Sequence, residues 1–197
     1  ELREGEVLGF YGLMGAGRSD LVECLVGARP QATGRIWLSG EPVTASTIEG
    51  RIQSGLVLVP EDRQRDSIVP TRSVQENMLL ASLRRYLRGV FLAPAKERAA
   101  TDHQIDNLFI RVANSQQPIT ALSGGNQQKV VISKWLVMEP EILIVDEPTR
   151  GIDVGSKKEI HALLSQLAQQ GIGIIMISSE LPEIIGMSDR VVVMHDG

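Results

Sequence analysis

The stretch from Leu122 to Asp153, LSGGNQQKVVISKWLVMEPEILIVDEPTRGID, constrains the fold more than any other part of the chain. Ser123 and two glycines open a helix whose first amides have no partner inside it. Such an end carries about half a positive charge and attracts anions, phosphate above all. Val131, Trp135 and Met138 are spaced to share one face of that helix. After Pro140, ILIVDE reads as a short apolar strand closed by two carboxylates, Asp146 and Glu147. Acids at the C-terminal end of a buried parallel strand lie where open α/β sheets bind their ligands. If the two acids merely cap a strand end, each piece is explained separately but their order is not.

A second stretch points to the same chemistry. Gly5 to Tyr11 reads as a buried strand, and GLMGAGRS follows from Gly12 to Ser19. This fits the phosphate-binding pattern G-x-x-x-x-G-K-S/T, except that Arg18 stands in the lysine slot. Gly12, Gly15 and Gly17 let the backbone curl so that successive amides point at phosphate oxygens, with Leu13, Met14 and Ala16 between them. Ser19 offers the hydroxyl expected on Mg²⁺, and Asp20 follows in the first turn of the LVECLVG helix. Arg18 keeps the positive charge, but its planar fork is bulkier than an ammonium. Phosphate attraction should survive and chemistry should suffer.

At 197 residues the chain is one domain with a sizeable core, and 43% hydrophobic with 22% charged residues is ordinary for an α/β protein. A net charge of −4 gives no electrostatic footprint for nucleic acid as main partner. The longest apolar runs, such as GIGIIMI, fall far short of the ~20 residues that cross a bilayer. No signal-peptide pattern is present, so a cytosolic protein is expected. The single cysteine, Cys24, excludes an internal disulfide and reads as a core residue rather than a reactive thiol.

Between these landmarks the chain alternates strands and helices, which implies a mostly parallel sheet with helices on both faces. Thr33 to Val43 predicts a hairpin turning near Ser39–Gly40, with Trp37 in core or sheet packing rather than under a base. A short helix over Thr47 to Gln53 leads into the strand GLVLVP. Ser73 caps a helix, with Glu76 at the capping-box position. Ile105, Leu108, Phe109 and Val112 predict an amphipathic helix, as do Ile160, Leu163, Leu164 and Leu167. Arg84, Arg85 and Arg88 read as a solvated basic face, with a membrane subunit or lipid headgroups as the alternative.

LSGGNQQ resembles the signature motif of ABC-type ATPases, ILIVDE their Walker B strand and TRGID their D-loop. The chain is most similar to the second nucleotide-binding half of bacterial monosaccharide importer ATPases of the ribose, galactose and arabinose group. The similarity covers nearly the whole chain, with the motifs in the same order. It implies an α/β P-loop fold with residues 1–61 and 140–197 as catalytic core and 62–139 as a helical subdomain carrying the signature. Residues 12–19 would cradle the phosphates of ATP, Ser19 and Asp146 would hold Mg²⁺, and Glu147 would orient or deprotonate the attacking water. Ser123, Gly124, Gly125, Asn126 and Gln127 would close on ATP held by the partner half, with Asp153 in the D-loop. Glu61 occupies the slot of a glutamine that touches Mg²⁺ and the membrane subunit; there a carboxylate is either a metal ligand or a solvated loop acid. Ser179 occupies the slot of a histidine that contacts the γ-phosphate.

The family usually carries an antiparallel sheet and a base-stacking aromatic upstream of the equivalent of Glu1, so a fragment of a longer, fused two-half polypeptide is expected. The implied partners are that second half, membrane permease subunits and, indirectly, a periplasmic sugar-binding protein, on the inner face of the plasma membrane. With Arg18, Glu61 and Ser179 all altered, the chain's own site should be slow while its intact signature completes the partner's. A regulatory module that binds ATP and scarcely hydrolyses it is the alternative. A chromosome or DNA-repair ATPase would insert long heptad coiled coils, and none occur.

Overall fold

The structure, a computed structural model, describes residues 1–13, 15–88 and 91–195. In chain order β1 (Val7–Gly12), α1 (Arg18–Leu25), a hairpin of β2 (Trp37–Leu38) and β3 (Glu41–Pro42), α2 (Ile48–Gln53) and β4 (Leu56–Val59) come first. Next are α3 (Arg63–Asp66), α4 (Val74–Leu79), β5 (Leu87–Arg88), β6 (Phe91–Leu92), α5 (Pro94–Asn107) and α6 (Gly124–Leu136). The chain closes with β7 (Ile142–Asp146), α7 (Val154–Gln169), β8 (Gly173–Ile177), α8 (Leu181–Met187) and β9 (Arg190–Met194). Two compact units result: residues 1–58, 140–148 and 164–197 form one, and residues 59–139 and 149–163 the other.

The first unit is built on a sheet of order β4-β7-β8-β1-β9. β7, β8, β1 and β9 run parallel, with Phe10 and Asp146 both in register with Ile177. Because these strands share a direction, the loops after β1, β7 and β8 leave from the same edge, and that edge positions the site. Val22 of α1 and Val26, its C-cap, pack on Leu56, Ile144 and Ile177 to form the core beneath it. Gly9 is fixed by packing: a Cβ there would lie 2.2 Å from the Ser188 hydroxyl oxygen. The β2–β3 turn is at Ser39–Gly40, both at positive φ (50° and 83°), which suits a two-residue hairpin. Trp37, expected in core or sheet packing, is instead 56% exposed. Its hairpin is a separate two-stranded sheet, and the indole packs under the Arg35 guanidinium at 5.7 Å.

In the second unit the Ser73–Glu76 capping box closes as the sequence predicts, with both reciprocal bonds made. The helix predicted through Ile105 and Val112 stops earlier. Phe109 has φ +49°, its N–H reaches the Asp106 carbonyl at 3.2 Å, and the Ile110 N–H reaches the Ile105 carbonyl at 2.9 Å. That pair of bonds is a Schellman end with phenylalanine in the left-handed slot that glycine usually fills. The apolar spacing therefore serves the cap: Leu108 and Ile110 are buried while Phe109 is 76% exposed. Lys129 donates to the Phe109 carbonyl at 3.1 Å, fixing the turn to α6. Arg85 is likewise not simply solvated. It donates to the Val137 and Met138 carbonyls at 2.8 and 3.3 Å, satisfying the end of α6. The side chain of Arg88 lies outside the described residues.

α6 buries polar as well as apolar groups, among them Gln127, Gln128, Lys129, Ser133 and Lys134. It ends at Leu136, so Val131 and Trp135 belong to it and Met138 does not. Lys134 donates to the Ser67 carbonyl at 3.0 Å, and burial pushes its pKa from 10.5 down to about 8. In the unfolded chain this lysine keeps its proton up to the higher value, so it opposes folding below pH 8 and stops doing so above pH 10.5. The unfolding free energy should therefore rise between pH 8 and 10, by up to roughly 3 kcal/mol from this group. Lys134→Met should flatten that rise in denaturant titrations.

Candidate functional site

β1 delivers the chain to the glycine loop, and the loop delivers it to α1. The turn closes with the Ala16 N–H on the Leu13 carbonyl at 3.1 Å, leaving Ala16 buried and Leu13 75% exposed. Gly15 and Gly17 sit at φ +83° and +84°, and Gly17 is the N-cap of α1, so its amides stay free for an anion. A Cβ at Gly15 would meet nothing within 4 Å, which leaves the loop open on its outer side. Gly12 is a packing requirement, since a Cβ there would meet the Met194 carbonyl oxygen at 2.7 Å. Met14 lies outside the described residues. The Asp20 carboxylate is engaged by Arg29.

Five side chains meet at this edge. The Ser19 hydroxyl donates to Asp146 at 3.2 Å. Asp146, the last residue of β7, is 7% exposed; burial raises its pKa from 3.8 to about 6, against the Ser19 bond and together with the neighbouring Glu147 charge. Glu147 has φ +48°, held by its N–H on the Ile177 carbonyl at 2.9 Å. Its carboxylate accepts from the Ser179 N–H at 2.7 Å and the Ser179 hydroxyl at 3.2 Å, while an Arg18 guanidinium nitrogen lies 3.8 Å away. Arg18, Ser19, Asp146, Glu147 and Ser179 are thus brought together within the first unit.

The donor set suits Mg²⁺. Among the described residues no group of three or more His, Cys, Asp and Glu could hold a metal alone. A hydroxyl and a buried carboxylate, both hard oxygens, are what Mg²⁺ takes from a protein when phosphates and water supply the rest.

The second unit holds the other predicted residues. The Ser123 hydroxyl caps α6, accepting from the Asn126 N–H at 3.5 Å and the Asn126 amide at 2.9 Å. The remaining Asn126 oxygen accepts from the Arg111 N–H at 2.8 Å, which fixes the orientation of the amide. The periodicity gave no signal for Arg111. Gln127 is turned inward, bonded to Gln64 at 2.6 Å and the Ile119 carbonyl at 3.3 Å. Gly124 faces Arg63, whose guanidinium donates to the Arg150 carbonyl at 2.8 Å. Gly125 faces Ser156, 2.5 Å from where its Cβ would stand. Asp153 accepts from the Ser156 N–H and hydroxyl at 3.0 and 2.7 Å, and those bonds lower its pKa. Glu61 is paired to Arg150, a contact that its charge alone did not predict.

The fold coincides with that of known proteins. The chain belongs to the ABC transporter family, which matches residues 1–150. It is 50% identical over 197 residues to the ribose import ATP-binding protein RbsA 1 of Agrobacterium fabrum. It is 48% identical over 197 residues to the xylose import ATP-binding protein XylG of Photobacterium profundum. Each match takes in the whole chain but only 39% of the relative, so the chain spans about two fifths of their length. Among solved structures, a dimeric ATP-binding cassette, MJ0796 bound to ADP and Pi, superposes with a TM-score of 0.81 at 21% identity, covering all of this chain and 84% of that one. CbiO1 from Clostridium perfringens superposes equally, at 27% identity and 76% coverage of its chain. These place the α/β P-loop ATPase fold beyond the motifs alone. No helix among the described residues is long and apolar enough to cross a membrane.

Proposed function

We propose that this chain is the second, C-terminal nucleotide-binding half of a bacterial sugar importer ATPase. It binds Mg·ATP at its own glycine loop and lends its signature residues to the site of the partner half. The observation that carries the reading is the Ser19–Asp146 pair, 3.2 Å apart, beside an α1 N-terminus that no side chain caps. The half is attached to the rest of the ATPase in one polypeptide and works on the inner face of the plasma membrane with permease subunits and, indirectly, a sugar-binding protein. Residues 62–139 serve as the helical subdomain, and 1–61 with 140–197 as the core.

ATP supplies the phosphoryl group, and Mg²⁺ held by Ser19 and Asp146 would neutralise charge developing on it; the chain's own residues bind, orient and hold protons. The loop amides and Arg18 bind phosphate oxygens, Ser19 and Asp146 fix the metal, and Glu147 receives the proton of the attacking water. Titrating the chain with ATP, with and without Mg²⁺, tests this directly. ATP should bind several-fold more tightly with the metal than without it, and Ser19→Ala should remove that gain. Binding that ignores both would refute the assignment.

A second reading, a regulatory module that binds ATP and hydrolyses little, is favoured by the contacts of Glu147. Its carboxylate is already engaged by both Ser179 donors with Arg18 beside it, a poor arrangement for a base. Steady-state phosphate release by the chain should stay far below 1 s⁻¹; turnover on the order of 1–10 s⁻¹ would exclude a slow site. Single-turnover hydrolysis by the paired halves, each site disabled in turn, separates the two readings.

A further inference from the structure

Arg18 is the least settled group in the site. Its side chain is 11% exposed, and its Nη1 atom is buried with no hydrogen-bond partner among the described residues. The nearest opposite charge is Glu147 at 3.8 Å, beyond hydrogen-bond reach. Burying a cation without a full set of acceptors is costly, so Arg18 keeps a strong unmet demand for an anion. Glu147, by contrast, is fully determined. Its backbone N–H is bonded to Ile177, and its two carboxylate oxygens accept from Ser179. Of the two partners, the arginine is the one with reason to move.

We propose that Glu147 and nucleotide phosphate compete for the single Arg18 guanidinium. In the empty site Glu147 serves as a stand-in anion for Arg18. Phosphate entry draws the guanidinium away and leaves the Glu147 carboxylate held by Ser179 alone. Arg18 is then a positioning residue that ties occupancy of the glycine loop to release of Glu147. This rests on the nucleotide-site reading above. No bond is made or broken in the exchange; one anion replaces another beside the same cation.

The competition has a signature that simple repulsion lacks. Under repulsion alone, Glu147→Gln, which removes a negative charge near the phosphates, would ease their entry equally with or without Arg18. If Glu147 holds Arg18 back, the gain must disappear when Arg18 is gone. The experiment is a double-mutant cycle on the 197-residue chain, read as the Kd for fluorescent ADP in the presence of EDTA. ADP without metal excludes both hydrolysis and metal coordination from the comparison. Arg18→Met keeps the length and packing of the buried stem while removing the charge; Arg18→Gln fills the same corner should the methionine variant not fold.

Glu147→Gln should tighten ADP by about three- to ten-fold with Arg18 in place, as expected for a part-buried ion pair. In the Arg18→Met background the same change should leave Kd within roughly two-fold. Equal tightening in both backgrounds would overturn the competition and leave the nucleotide site intact. No ADP binding by any variant would overturn the nucleotide site itself, and the competition with it.

Discussion

Asp146→Asn is expected to make the empty protein more stable and, at the same time, insensitive to Mg·ATP. The carboxylate is buried, and burial lifts its pKa from 3.8 to about 6. A raised acid stabilises the fold at low pH, where it is protonated, and that contribution is lost as pH rises through 6. Near neutral pH the empty chain therefore holds a charge that opposes folding by about 3 kcal/mol. Asparagine removes the charge and still offers an oxygen to the Ser19 hydroxyl, 3.2 Å from the present carboxylate. The midpoint of thermal unfolding at pH 7.5 should rise by about 6–10 °C for a chain of this size. At pH 4.5 the two proteins should unfold within a few degrees of one another.

Addition of Mg·ATP should close the gap. A ligand at one hundred times its Kd stabilises the native state by about 2.7 kcal/mol, and only the protein with Asp146 can claim this through the metal. Thermal scans of both proteins, empty and with Mg·ATP, give four midpoints. If the variant is no more stable when empty, burial of Asp146 is not a cost. If Mg·ATP lifts both proteins equally, Asp146 does not hold the metal. The local instability is what the chemistry requires, because a carboxylate content without a cation would have no reason to bind one.

The sequence made the positions of the chemistry legible more readily than the course of the chain between them. β1, the glycine loop, β7 and β8 follow from short apolar runs ending in glycine, acid or serine, and a parallel sheet brings those ends to one edge. The capping box at Ser73 is legible for a similar reason, because both of its bonds are local in sequence. The exposed Trp37 and the early end of α5 are not. Apolar spacing reports that residues 105–112 are partly buried, but cannot distinguish another helical turn from a Schellman end. Here Phe109 takes a backbone conformation that no propensity assigns to phenylalanine, and a bond from Lys129, far along the chain, holds it there. The engagement of Glu147 by Arg18 and Ser179 is likewise invisible in sequence, since 129 and 32 positions separate the partners. Substitutions at the lysine and histidine slots could be read one at a time; that they converge on one carboxylate could not.

Gly124→Asp should reduce the ATPase and sugar uptake of the assembled transporter far more than Arg18→Ala does. Gly124 begins α6, directly after the Ser123 cap, and on the proposed reading this helix end meets the γ-phosphate bound by the partner half. A carboxylate placed there opposes that phosphate. At ~4 Å two like charges cost about 1 kcal/mol in water and about 4 kcal/mol at the effective dielectric of a protein surface, up to three orders of magnitude in rate. The structure adds a local effect, since a Cβ at Gly124 would stand 2.9 Å from an Arg63 guanidinium nitrogen. The new acid would pair with Arg63 and draw it off the Arg150 and Gly151 carbonyls, now 2.8 and 3.4 Å away. Gly124→Ala separates the two causes, because it adds the bulk without the charge, pressing on the end of Arg63 and standing 3.3 Å from the Gly151 carbonyl oxygen and from Ile152. It should cost under ten-fold. On the proposed reading Arg18→Ala damages only a site that the contacts of Glu147 would already slow, so transport should fall modestly. Uptake by the three variants, at matched expression, decides the matter: a loss from Arg18→Ala equal to or greater than that from Gly124→Asp would mean that this chain's own loop, and not its signature, carries the working site.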